Sequence, residues 1–183
     1  MLSLRKLLVC IGAVVGASLS VSLVWAETAG GLSWTPPVKW APLTKPKRAA
    51  NYRVAPVAGD SDAAECGVYY FGRGQGGSAD ANVKRWIGQF RTADGKPADE
   101  SAKVSARTIN GIKLTTVDIT GTHLFKAFPM ARQATPKPGY RLIGAIAEGP
   151  EAPIFFKFVG PRKTVTAGEA DFRKMLDSLR PAK

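Results

Sequence analysis

The chain has 183 residues, 45% of them hydrophobic and 22% charged, the make-up of one globular domain rather than a disordered tail or fibrous repeat. It carries 26 Lys plus Arg against 14 Asp plus Glu, a net charge of +12, with one His and two Cys. That inventory excludes a zinc finger and a disulfide-stapled scaffold.

Arg5 and Lys6 precede an uncharged apolar run from Leu7 to Trp25, which closes on Val24-Trp25-Ala26. A positive flank, an apolar stretch and a small-x-small end predict a secretory signal peptide over residues 1–26. The run is long for that purpose, so an uncleaved membrane anchor is the alternative. In both cases the cationic flank stays inside and the remainder is exported, to a periplasmic or extracellular location. Cleavage removes two basic and no acidic side chains, so +12 becomes +10 and Cys66 is left as the lone cysteine. The exported core must then hold without an internal disulfide. Cys66 falls in the apolar pattern Ala64, Cys66, Val68, Tyr70 and reads as a small buried hydrophobe, not a reactive thiol.

Residues 27–48 form an extended lead and first strand, with Pro36 and Pro37 restricting Ser33 to Trp40 to an edge or a bulge. Ala50, Tyr52 and Val54 alternate as a strand, Gly59 to Asp62 is turn chemistry, and 64–71 is a strand apolar on both faces. Val83, Trp86, Ile87 and Phe90 make the apolar stripe of a helix with Ser78 as N-cap, Asp80 in its first turn and Asp94-Gly95 as its end. Asn110-Gly111 joins strands 103–109 and 112–120 as a hairpin. Residues 121–138 lack periodicity and read as a polar loop, and Tyr140 to Ala147 pairs with Ile154 to Val159 around Gly149-Pro150. A capping box, Thr166 and Glu169, opens a last helix with stripe Phe172, Met175, Leu176 and Leu179, stopped by Pro181. Residues 27–183 therefore form one α+β domain: an antiparallel sheet of six or seven strands flanked by two main helices.

This order resembles the PsbP-like fold, shared by an extrinsic photosystem II subunit, a Ran-binding nuclear import factor and several bacterial envelope proteins. The resemblance rests on Trp34-Thr35-Pro36-Pro37-Val38-Lys39-Trp40, on the mid-chain helix, and on the closing helix Phe172 to Leu179. Gly76 to Phe90, with its N-x-x-R-W-x-x-Q-F helix, is similar to an uncharacterised family of exported bacterial proteins. Members of the fold mostly bind or assemble partners rather than catalyse, which the resemblance implies here at the level of fold alone.

Gly72, Gly74 and Gly77 satisfy G-x-G-x-x-G between a strand and a helix, and Asp94 follows 20 residues after Gly74. A dinucleotide site needs a parallel strand-helix-strand unit, whereas hairpins follow here, so the loop reads as a flexible connection with weak anion binding by Arg73 as the alternative. Asn82, Arg85 and Gln89 form a polar row beside the apolar stripe, a candidate pocket row or a set of structural hydrogen bonds. His123 stands alone, five residues after Asp118, and reads as a surface or loop histidine with no metal partner. No metal, cofactor or catalytic set is implied.

Basic residues concentrate in two acid-free segments, with Lys39, Lys45, Lys47, Arg48 and Arg53 in the first and Lys126, Arg132, Lys137 and Arg141 in the second. Two functions follow. The first is an exported non-enzymatic module whose basic surface, through Lys45, Lys47, Arg48, Arg53, Arg73, Lys126 and Arg132, contacts an unknown protein, an anionic envelope polymer or a membrane surface, nucleic acid being disfavoured. The alternative is a small-molecule or anion binder, or a hydrolase, sited at the Gly72–Gly77 loop and the Asn82, Arg85, Gln89 row.

Overall fold

The computed structural model describes residues 25–127 and 131–182. The expected leader falls outside them except for Trp25 and Ala26, as do residues 128–130 of the expected loop. In chain order the strands are β1 (Glu27–Ala29), β2 (Leu32–Trp34), β3 (Ala41–Pro42), β4 (Ala50–Val54) and β5 (Ala64–Tyr70), then helix α1 (Ala79–Ile87). Next come β6 (Phe90–Arg91), β7 (Lys103–Ile109), β8 (Ile112–Phe125), β9 (Thr135–Glu148), β10 (Pro153–Pro161), helix α2 (Arg162–Asp177) and β11 (Arg180–Pro181). The main sheet runs β3-β4-β5-β10-β9-β8-β6 with β7 also on β8, and every pairing is antiparallel. A small second sheet, β1-β2-β11, ties the start of the described chain to its end.

Alternation on the long strands sorts side chains to two faces. Cys66, Val68, Ala145, Phe156 and Phe158 face α2, where they pack with Trp34, Trp40, Phe172 and Met175 in one core cluster. Trp40 lies 4.9 Å from Phe158 and 6.4 Å from Phe172, ring centre to ring centre. Tyr69, Leu142, Ile146 and Phe155 face the other way, against Val83, Trp86 and Ile87 of α1. The sheet is thus covered on both faces, which is why β5 and β10 read as continuous apolar runs. Cys66 is fully buried, and burial pushes its thiol well above the ordinary range.

Four local expectations are corrected. The strand expected at 33–40 is confined to β2; after Thr35 the chain leaves the small sheet and sends Trp40 into the α2 core. The middle helix ends at Ile87 with Gly88 as its cap, so Phe90 belongs to β6 rather than to the helical stripe. Much of the expected 121–138 loop is strand. Pro138 and Gly139 lie opposite Thr122 alone, since Gly121 pairs with Tyr140 and His123 with Lys137. Gly139 has φ 69°, so a bulge resets the alternation of β9 and erases its period-two signal.

Fourth, α2 starts at Arg162, four residues before Thr166. Its first turn is held by Asp60, whose carboxylate accepts from the backbone N–H of Thr164 at 2.9 Å and from its hydroxyl at 2.7 Å. The helix start is therefore stabilised from across the fold, and Thr166 and Glu169 instead receive Arg141. By contrast, the hairpin turn at Asn110 and Gly111 has the two positive φ angles, 49° and 81°, that its sequence demands.

Candidate functional site

Helix α1 has nine residues, too few to roof the whole face on which it lies. Beyond its C-terminal end the described residues leave the sheet uncovered, and a cleft of about 1050 Å³ opens there, at the large end of the range for small-molecule sites. Tyr69 and Glu65 of β5, Phe155 and Lys157 of β10, Tyr140 of β9 and His123 of β8 form its floor. Arg85 and Trp86 of α1, Gln89 after it, and Arg48 from the β3–β4 connection form its walls.

Lys157 stands on β10, the middle strand of the main sheet. It pairs in register with Gly67 on β5 and with Gly144 on β9, so neither lateral neighbour has a side chain. A Cβ on Gly144 would lie 2.4 Å from the Trp86 ring, and one on Gly67 3.0 Å from the Tyr69 ring. The two rings fill these spaces and flank the lysine stem. Gly144→Val is accordingly expected to displace Trp86 and lower stability by about 1–3 kcal/mol, read as a reduced urea midpoint with unchanged slope.

The ammonium of Lys157 donates to Gln89 Oε1 at 2.6 Å. Burial, with the guanidinium charges of Arg85 and Arg48 nearby, brings its pKa down to about 8. Arg48 pairs with Glu65, donates to Asn51 Oδ1, and stands 4.9 Å over the Tyr69 ring. Burial would raise the Glu65 carboxyl, but hydrogen bonds and charge from Lys45 and Arg48 outweigh it and hold the group below its usual range. The other carboxylate of the cleft, Asp62, accepts from the Tyr140 hydroxyl at 2.6 Å and from Lys137 at 2.9 Å, which also lowers it.

Five basic side chains (Arg48, Arg85, Lys126, Lys137 and Lys157) thus line the cleft against two carboxylates already engaged by cations. The field inside is positive, and its walls are aromatic. Such a surface attracts anions with an apolar body.

His123 is buried on β8, not in a surface loop as its sequence suggested. Its ring stacks 4.9 Å from Phe90 and 6.0 Å from Tyr140, and Nδ1 has no hydrogen-bond partner among the described residues. Asp118 does not orient it, being paired with Arg141 at 2.6 Å. Burial and the Lys157 charge lower its pKa to about 4, so it is neutral at neutral pH. Because the unfolded chain takes up this proton at about 6.5 and the folded chain only near 4, stability is complete above 6.5 and falls as pH drops between them. His123→Phe is expected to flatten that part of the stability–pH curve, a difference on the order of 2–3 kcal/mol, measurable by denaturant unfolding at pH 7 and pH 4.

The expected site residues divide. Arg85, Gln89, Arg48 and Lys126 converge on the cleft. Asn82 does not; it is 2% exposed and donates to the carbonyls of Gly76 and Ser78 while accepting from Arg85. It clamps the glycine loop to the helix start, where Ser78 caps Ala81. A side chain added at Gly72 or Gly74 would meet nothing within 4 Å, and the 72–77 loop stays out of the cleft lining. Lys47, Arg53, Arg73 and Arg132 are exposed and outside the cleft lining, while Lys45 is held by Glu65. Lys157 escaped the sequence reading, although one cation inside Phe155-Phe156-Lys157-Phe158-Val159 was its visible signal.

No family model matches the chain, and no curated protein matches it. Among solved structures the fold is similar to cyanobacterial PsbP (CyanoP) from Synechocystis, at 12% identity and a TM-score of 0.51, over 92% of this chain and 99% of that one. PA94 from Pseudomonas aeruginosa, a protein of unknown function, aligns at 10% identity and a TM-score of 0.48 over 87% of this chain and 98% of that one, too distant to carry an argument. The two-helix antiparallel α+β architecture is thus a PsbP-like fold. A likeness at this distance speaks for architecture and not for activity.

Proposed function

We propose that the protein is an exported, non-enzymatic binding module that seats a small anionic molecule with an aromatic or apolar body in the cleft beside α1. The reading is carried by one observation: Arg48, Arg85 and Lys157 gather around an aromatic-lined cavity whose carboxylates are already paired. The N-x-x-R-W-x-x-Q-F segment supports it, since Arg85, Trp86 and Gln89 all reach the cleft. We place this chain with the exported bacterial proteins that share the segment, and read residues 1–26 as their export signal.

The test uses two fluorescent probes of similar shape, anilinonaphthalene sulfonate, which is anionic, and phenylnaphthylamine, which is not. The sulfonate should bind with one-to-one stoichiometry and weaken as salt rises, with the neutral probe at least about tenfold weaker, a difference of roughly 1.4 kcal/mol. Arg85→Met should close most of that gap. Equal affinity for both probes, or a sulfonate affinity indifferent to Arg85→Met, would reject the proposal.

A further inference from the structure

Lys157 has more chemistry available than an anion needs. Its single hydrogen-bond acceptor among the described residues is Gln89 Oε1, so an ammonium there keeps two N–H donors without a partner. Its stem rises between Tyr69 and Trp86 from a strand at the middle of the sheet, which fixes where the amine can point. Two guanidinium groups stand by it, and the neighbouring carboxylate, Glu65, is held by Lys45 and Arg48.

We infer that Lys157 is a carbonyl-capturing lysine, forming a reversible imine with an aldehyde or keto compound whose carboxylate or phosphate is held by Arg48 and Arg85. The inference rests on the proposed anionic cleft and adds a covalent bond within it. The neutral amine attacks the carbonyl carbon, forming the C–N bond and breaking the C=O π bond, while one of the two amine protons passes to the carbonyl oxygen and leaves the nitrogen with its lone pair. The resulting carbinolamine loses that oxygen as water, with a second proton taken from solvent, and the nitrogen lone pair closes the C=N bond. The protonated imine retains one N–H, which matches the single acceptor offered by Gln89. Nothing is oxidised or reduced.

Supply of neutral amine favours this residue over the others. An amine of pKa about 8 is deprotonated in about a tenth of molecules at pH 7, against fewer than roughly one in a thousand for an ordinary lysine. Cationic neighbours and burial are a known route to such an activated amine.

Pyridoxal phosphate, an aromatic aldehyde with a phosphate, serves as the probe, followed by borohydride reduction and peptide mapping of the folded full-length protein. Lys157 should be labelled at least about tenfold faster than any other lysine, with the rate rising as pH increases towards 8. Lys157→Arg should lose the fast adduct, and the wild type should bind pyridoxine phosphate, the alcohol analogue that cannot form an imine. If the wild type binds pyridoxine phosphate but labels Lys157 no faster than surface lysines, the covalent inference is overturned and the anionic cleft stands. If neither phosphate compound binds in the cleft, both fall.

Discussion

Trp34→Ala is expected to lower the unfolding free energy by about 3–5 kcal/mol, the range for emptying a fully buried large aromatic site. Trp34 is 0% exposed and meets Phe156 edge-on at 5.4 Å. Its indole N–H donates to the Tyr52 hydroxyl at 3.1 Å, so the substitution also strips a partner from a buried polar group. The residue ends β2, which is paired to β1 on one side and to β11 on the other. Losing it therefore loosens both ends of the described chain from the α2 core. Urea unfolding monitored by far-ultraviolet circular dichroism measures the change; a loss below about 1 kcal/mol, less than a typical core truncation, would mean that the lead is an appendage and not part of the domain.

The second large effect runs in opposite directions for binding and stability. Lys157→Met keeps the unbranched stem, one atom shorter, but removes a charge that the fold desolvates and crowds with Arg85 and Arg48. In the wild type the folded pKa lies below the unfolded one, so the unfolded chain holds more protons between about 8 and 10.5. Wild-type stability should therefore rise with pH across that window, and Lys157→Met should abolish the rise. At pH 7 the variant should unfold at the same or a higher temperature, since a buried charge is replaced by an apolar group of similar shape. Its affinity for the sulfonate probe should fall at least about thirtyfold, the lower bound for removing one member of a desolvated charge contact. A variant that is less stable than the wild type and binds equally well would contradict both halves.

The sheet was legible where local chemistry decides. The Asn110-Gly111 turn, the double-sided apolar strands 64–71 and 154–159 and the Phe172, Met175 and Leu176 part of the α2 stripe are where their residues put them, whereas Leu179 lies past the helix end at Asp177. Legibility failed where a distant group intervenes. Asp60 holds the start of α2 from 104 positions away, so the local capping box misplaced it. The Pro138-Gly139 bulge shifted one strand's alternation, and the periodicity that would have marked it vanished.

The site was half legible for the same reason. Arg85 and Gln89 attract notice as a row, yet the helix stops at Ile87 and Gln89 reaches the cleft from beyond it. The glycine loop carries a phosphate-binding pattern, but the strands after α1 pair antiparallel and the loop is occupied by its own contact with Asn82. Lys157 and Gln89 are 68 positions apart, and no spacing rule joins them. Only the sheet register sets Lys157 between two glycines.

The most direct measurement of the central claim is where an anion sits on the folded protein. Backbone amide shifts recorded by NMR during titration with anilinonaphthalene sulfonate should move at Tyr69, Gln89 and Lys157 and stay still on the α2 side, at Phe172 and Met175. Shifts confined to the outlying basic residues Lys47, Arg53, Arg73 and Arg132, with the cleft unmoved, would contradict it.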